Sequence, residues 1–161
     1  MKPTYKEASE RIASMVHEFE DKRRIEDVAF EKEITKERFV YPATVSSMDF
    51  GYDTAMITLT VRFVLDSGEE VRFTDSYFEG YTLCGKFTPA RVASNGTPSL
   101  WAQLCWLHGF SPFTVGGHFV EGHDLEGKRV NLVFNYMPYE VFGIVDILSI
   151  DDGLPLKDEI E

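Results

Sequence analysis

Cysteine is scarce in this sequence: 161 residues contain two, Cys84 and Cys105. Two widely spaced thiols make no disulfide framework, and in a chain expected in the cytoplasm they read as reduced core residues. No run of about 18 apolar residues occurs, so no membrane-spanning helix is expected. The opening stretch MKPTYKEASERIASMVHEFEDK puts charges where a signal peptide needs its apolar segment. Export is therefore not expected, and the expected location is the cytoplasm, that of the host if the chain is viral. Asn95 of NGT matches a glycosylation acceptor, but without secretion it reads as a turn. Positive charge is scarce as well, with 16 Lys+Arg against 27 Asp+Glu and a formal net charge of −11. Such a balance excludes a protein that coats nucleic acid over its whole surface. The deficit is uneven: 8 against 10 in residues 1–37, 7 against 11 in 38–145, and 1 against 6 in 146–161.

Catalytic signatures are also missing. No serine has the setting of a nucleophile elbow. Gly116, Gly117, Gly122 and Gly127 do not form a phosphate-cradling loop. GGHFVEGHDLEG brings His118, His123 and Asp124 close together, but at no recognised metal-ligand spacing, so they read as solvated loop residues. Cys105 and His108 stand three apart on an apolar helix, the setting of an inert core thiol. Asp151 and Asp152 read as part of a solvated tail rather than as paired catalytic carboxylates. Neither an enzyme, a cofactor nor a metal is expected.

What the chain has is apolar and aromatic weight: 43% hydrophobic residues, 14% aromatic, 13 Phe, enough for one packed domain. Ala8, Ile12, Met15, Val16 and Phe19 fall at helical spacing, predicting an amphipathic helix over 5–24. From Phe39 the pattern turns to strand. FVYPATVSSMDF is β-rich and FGYD reads as a loop. In TAMITLTVRFVL, Ile57, Leu59, Val61 and Phe63 alternate with Thr58, Thr60 and Arg62. A turn at DSG leads to EEVRFTD, with Val71 and Phe73 inside. Only an odd loop pairs inward residues with inward residues, and three loop residues set Phe63 opposite Val71, Val61 opposite Phe73 and Arg62 opposite Arg72. TPSLWAQLCWLHGF then predicts a short helix, capped by Thr97, begun by Pro98 and stopped by Gly109. KRVNLVFNY and VFGIVDILSI close the chain as two strands around MPYE, with Val130, Leu132 and Phe134 alternating with Arg129, Asn131 and Asn135. The order β-β-β-α-β-β is that of a five-stranded OB-type barrel, whose one helix plugs an open end and is therefore apolar nearly all round. An α+β sandwich of the same elements is the alternative. The expected organisation is an N-terminal helical segment (1–37) packed on the domain, an OB-like domain (38–150) and an acidic tail (151–161).

Four patches, YPATV, ITLTVRFVLDSGEEV, LWAQLCWLHGF and DLEGKRVNLVFNY, together resemble phage-encoded single-stranded-DNA-binding proteins of the OB type. The resemblance covers residues 40–150 and rests on Leu107 to Phe110, Asp124, Leu125, Gly127 and Lys128. IDDGLPLKDEIE is similar to the acidic tails of that family, but continues past Pro155 and lacks a terminal Phe. The resemblance implies an OB fold, action in phage DNA replication or recombination, and protein partners docked by the tail.

Binding single strands requires stacking rings and positive charge along the backbone path. On an OB fold the surface is the second and third strands, with the loop joining the first two and the loop joining the last two. The first loop, MDFGYD, offers Phe50 and Tyr52; the second, NYMPYE, offers Tyr136 and Tyr139. These rings either stack on bases or fold back over the barrel ends. Arg62 facing Arg72 needs a neutralising partner, either a phosphate or an acidic neighbour such as Glu70 or Asp75. Thr58, Thr60 and Thr74 share that face and suit phosphate oxygens, and Lys128 and Arg129 add charge at the start of the fourth strand. Lys86 and Arg91 are weaker candidates. The expected partner is single-stranded nucleic acid, DNA ahead of RNA, with homo-oligomerisation left open and no membrane. The rival reading is an acidic protein-binding or inhibitory module that presents carboxylates in place of phosphates.

Overall fold

A computed structural model describes residues 2–20, 38–53, 56–78, 100–109, 125–137 and 141–151; within the strands, residues 50–53, 56–57 and 75–78 are described by their backbone alone. Helix α1 spans Tyr5–Glu20. It begins with a reciprocal cap: the Thr4 N–H donates to Glu7 Oε1 at 2.9 Å and the Glu7 N–H to Thr4 Oγ1 at 3.1 Å. Those bonds hold the Glu7 carboxyl below the usual carboxylate range. Ala8, Ile12 and Val16, one per turn, are buried in the same cluster as the strand residues, so α1 completes the domain core. At its start, Tyr5 packs edge-on against Phe134 with ring centroids 5.0 Å apart, and Tyr41 Oη donates to the Pro3 carbonyl at 2.6 Å.

Five strands follow: β1 (Phe39–Asp53), β2 (Met56–Leu65), β3 (Glu70–Phe78), β4 (Arg129–Asn135) and β5 (Gly143–Ser149), with helix α2 (Leu100–Leu107) between β3 and β4. They form one antiparallel sheet in the order β3-β2-β1-β4-β5. The sheet curls until β3 and β5 approach each other, and α2 packs against both. This is the OB-type barrel, and the curl sets the flat sandwich aside. Its interior is filled by Tyr41, Val45, Leu59, Val61, Phe63, Leu65, Phe73, Leu132 and Phe134. Two irregularities sharpen the bend. Ser46 is an extra residue in β1 between the pairs Val45–Phe63 and Ser47–Arg62, and Val145 is an extra residue in β5.

The β2–β3 hairpin has the register expected from its alternation: Phe63 faces Val71, Val61 faces Phe73 and Arg62 faces Arg72. Leu65 N–H donates to Glu69 O and Gly68 N–H to Leu65 O, both at 2.8 Å, leaving Asp66, Ser67 and Gly68 as a three-residue loop. Gly68 sits at φ 103°, which side-chain-bearing residues avoid.

Helix α2 departs from the expected apolar plug. Trp101, Leu104 and Cys105, at i, i+3 and i+4, enter the core, but Trp106 is 50% and Leu107 37% exposed. The helix lies along the seam between β3 and β5, so only one stripe of it meets the interior. Burial pushes the Cys105 thiol up to about 12, as suits an inert core residue. Gly109, at φ 79°, ends the helix as expected; Thr97, Pro98 and Cys84 lie outside the described residues.

Candidate nucleic-acid interface

The outer face of β2 and β3 is built in rows across the strands. One row holds Thr60 and Thr74, whose hydroxyls hydrogen-bond at 3.1 Å, with Asp49 of β1 beside Thr60. The next holds Arg72, Arg62 and Ser47, and the next Glu70, Val64 and Thr44, with Arg129 of β4 paired to Thr44. Thr58, half-buried, lies one row beyond Thr60, opposite Ser76. Alternation alone assembled Thr58, Thr60, Arg62, Arg72 and Thr74 on one surface, as the sequence implies.

The electrostatics of that surface were not legible. Like charges opposed on a sheet repel, and the neutralising partner of Arg62 is Asp49, whose Oδ2 accepts from the guanidinium. Asp49 sits diagonally on β1, beyond the Ser46 bulge, and that bulge fixes which β1 residue Arg62 meets. Ser46 Oγ in turn donates to the Arg62 carbonyl at 3.3 Å. Among the described residues, neither Arg72 nor Glu70 has an ion pair or a side-chain hydrogen bond. Arg62, Glu70, Val71 and Arg72 line a depression of about 290 Å³.

Lys128 and Arg129 do not form one basic patch. Arg129 clamps Asp66 of the hairpin loop through two bonds, of 2.7 and 2.9 Å, and reaches Thr44 Oγ1 at 3.1 Å. These bonds hold the Asp66 carboxyl below the usual range. Lys128 instead closes the turn from Leu125, its carbonyl accepting the Val45 N–H at 2.9 Å while Gly127, at φ 84°, donates to Val45 O. Its side chain is exposed, and its charge acts on His108 at the end of α2. Burial first, and Lys128 second, hold that imidazole below its ordinary pKa, and its buried Nε2 has no hydrogen-bond partner among the described residues.

The expected aromatic loops are placed differently. Residues 48–53 are not a loop: β1 continues to Asp53, with Phe50 paired to Leu59, Gly51 to Thr58 and Tyr52 to Ile57. The β2 alternation supplies a partner for each of these positions, so pairing overrides the loop signal of Gly51. Tyr136 is half-buried and packs on the core cluster, and its N–H donates to Asn135 Oδ1 at 2.6 Å. Tyr139, Lys86, Arg91 and the His118, His123, Asp124 loop lie outside the described residues; among those described, no acidic, His or Cys cluster forms a metal site. No helix among the described residues is long and apolar enough to cross a membrane.

An OB-type barrel with an open β2–β3 face is the class of architecture that fold and site define together. No protein-family model, curated protein or solved structure matches the chain.

Proposed function

We propose that the protein binds single-stranded DNA across the outer β2–β3 face, in replication or recombination of the kind carried out by phages. The observation that carries this reading is the open face itself: on an OB-type barrel it bears Thr60, Thr74 and Arg72, donors bonded to no carboxylate among the described residues. The hydroxyls suit backbone oxygens, while the register sets Phe50 and Tyr52 of β1 on the face of Leu59 and Ile57, opposite that of Thr58 and Thr60. Arg62 and Arg129 are tied to carboxylates, leaving Arg72 and Lys128 as the site cations without ion pairs among the described residues. With Lys128 on a phosphate, and Arg72 on a second wherever it is not engaged by a base, the salt slope on a single strand is shallow, about −0.7 to −1.4, and binding is weak. Titrating a labelled oligothymidine at low and moderate salt tests this. Binding that weakens gently with salt, and again with Arg72→Ala, is expected; absence of binding at low salt overturns it.

A second reading has its own observation. The pairing of Arg62 with Asp49 and of Arg129 with Asp66 cancels positive charge that a nucleic-acid face would keep. That favours an acidic protein-binding module, and absence of binding at low salt points to it.

A further inference from the structure

We infer that the depression between Arg62, Glu70 and Arg72 is a base pocket selective for guanine, not a phosphate site. The inference takes the single-stranded-DNA reading as the source of the base, and deepens it. Charge decides against phosphate. Two guanidinium groups, Arg62 and Arg72, stand with two carboxylates, Asp49 and Glu70, so an anion gains no net attraction and meets the Glu70 carboxylate. A neutral ligand that both donates and accepts suits the same groups. Glu70 and Arg72 share one face of β3 two residues apart, exposed and without ion pairs or side-chain hydrogen bonds among the described residues. One is an acceptor with two oxygens, the other a fork of donors. Guanine presents two adjacent donors, N1–H and the 2-amino group, and beside them two adjacent acceptors, O6 and N7. Adenine and cytosine set one amino group next to a ring acceptor that the second carboxylate oxygen repels, and thymine has a single N–H between two carbonyls. Arg62, paired with Asp49, also lines the depression, and its side chain gives the ring a surface to pack on. The volume of about 290 Å³ stands at the low end for small-molecule sites and suits a ring seated from solvent.

The test is anisotropy with an oligothymidine carrying one central guanine, and with hypoxanthine or adenine in its place, beside calorimetric titration with guanosine monophosphate. The guanine oligomer should bind about tenfold more tightly than plain oligothymidine, and hypoxanthine, which lacks the 2-amino group, should lose most of that gain. Glu70→Gln should abolish the preference while leaving plain oligothymidine within about twofold of the parent. Equal, salt-sensitive binding of all four oligomers overturns the pocket and leaves the DNA reading standing. So does a Glu70→Gln variant that tightens every oligomer equally, since Glu70 then only repels backbone. Saturable binding of the mononucleotide without any binding of oligothymidine keeps the pocket, assigns it to free nucleotide and overturns the DNA reading. Binding of neither overturns both.

Discussion

The β2–β3 side of the barrel and the β4 side differ in one respect that alternation does not announce. Both strand sets send apolar residues inward and mostly polar ones outward. On β2 and β3 the outward residues stay open, with even Val64 37% exposed. On β4, beyond the exposed Arg129 at its start, the outward residues are buried: Asn131 and Asn135 are each 4% exposed and Val133 is fully covered, as is Val40 of β1 at 1%. Asn131 is accordingly satisfied, donating to the Ile150 carbonyl at 3.1 Å. The residue types divide the same way. Arg, Glu and Thr, which resist burial without partners, mark the open face, Val64 apart, whereas Asn and Val mark the covered one. Polarity alone therefore does not reveal which face stays open to solvent, but ionised side chains do.

The comparison breaks most visibly at matched valines. Val133→Lys puts an unpaired charge into the covered face and is expected to cost about 3–5 kcal/mol, whereas Val64→Lys on the open face stays within about 0.5 kcal/mol. Urea denaturation measures both, and similar costs would erase the distinction. Asn131→Ala is next: it removes the partner of two part-buried carbonyls, an expected loss of about 1–2 kcal/mol by the same assay. Gly68→Ala forces a side chain to φ 103° in the open hairpin and should cost about 1 kcal/mol, read as a lower thermal midpoint. The smallest effect is Asp66→Asn, worth less than about 1 kcal/mol because the clamp with Arg129 is exposed. Its sign is set by pH. Arg129 lowers the folded pKa of Asp66, so the stabilisation is present above the ordinary carboxylate value of 3.8 and fades as pH falls below it. Parent and variant should therefore converge in thermal midpoint at low pH, and a constant gap would show that the clamp is not electrostatic.

Much of the architecture was legible because it follows local rules. The register of Arg62 on Arg72, the inward set of β2 and the stop at Gly109 follow from alternation, an odd loop and a glycine at positive φ. The site was legible only in part. Asp49 reaches Arg62 through a bulge, and no periodicity marks Ser46 as the extra residue. Asp66 meets Arg129 across 63 positions of sequence, a contact made by the curl of the sheet. Phe50 and Tyr52 looked like loop residues because Gly51 and the neighbouring aspartates are turn formers, yet seven consecutive pairings with β2, from Ser47 to Asp53, outweigh them. The exposure of Trp106 depended on where α2 lies, along a seam rather than inside a mouth.

That seam has a consequence for how molecules keep apart. β5 ends the sheet, and an unpaired strand edge is a template for another chain. Here the Ile147 N–H donates to Gln103 Oε1 of α2 at 2.9 Å, so a helix side chain takes the position that a neighbouring molecule's backbone would otherwise fill. Gln103 is in effect a stopper against polymerisation. The first step towards aggregation of this barrel is then the lifting of α2, and Gln103→Ala should shorten the lag before it.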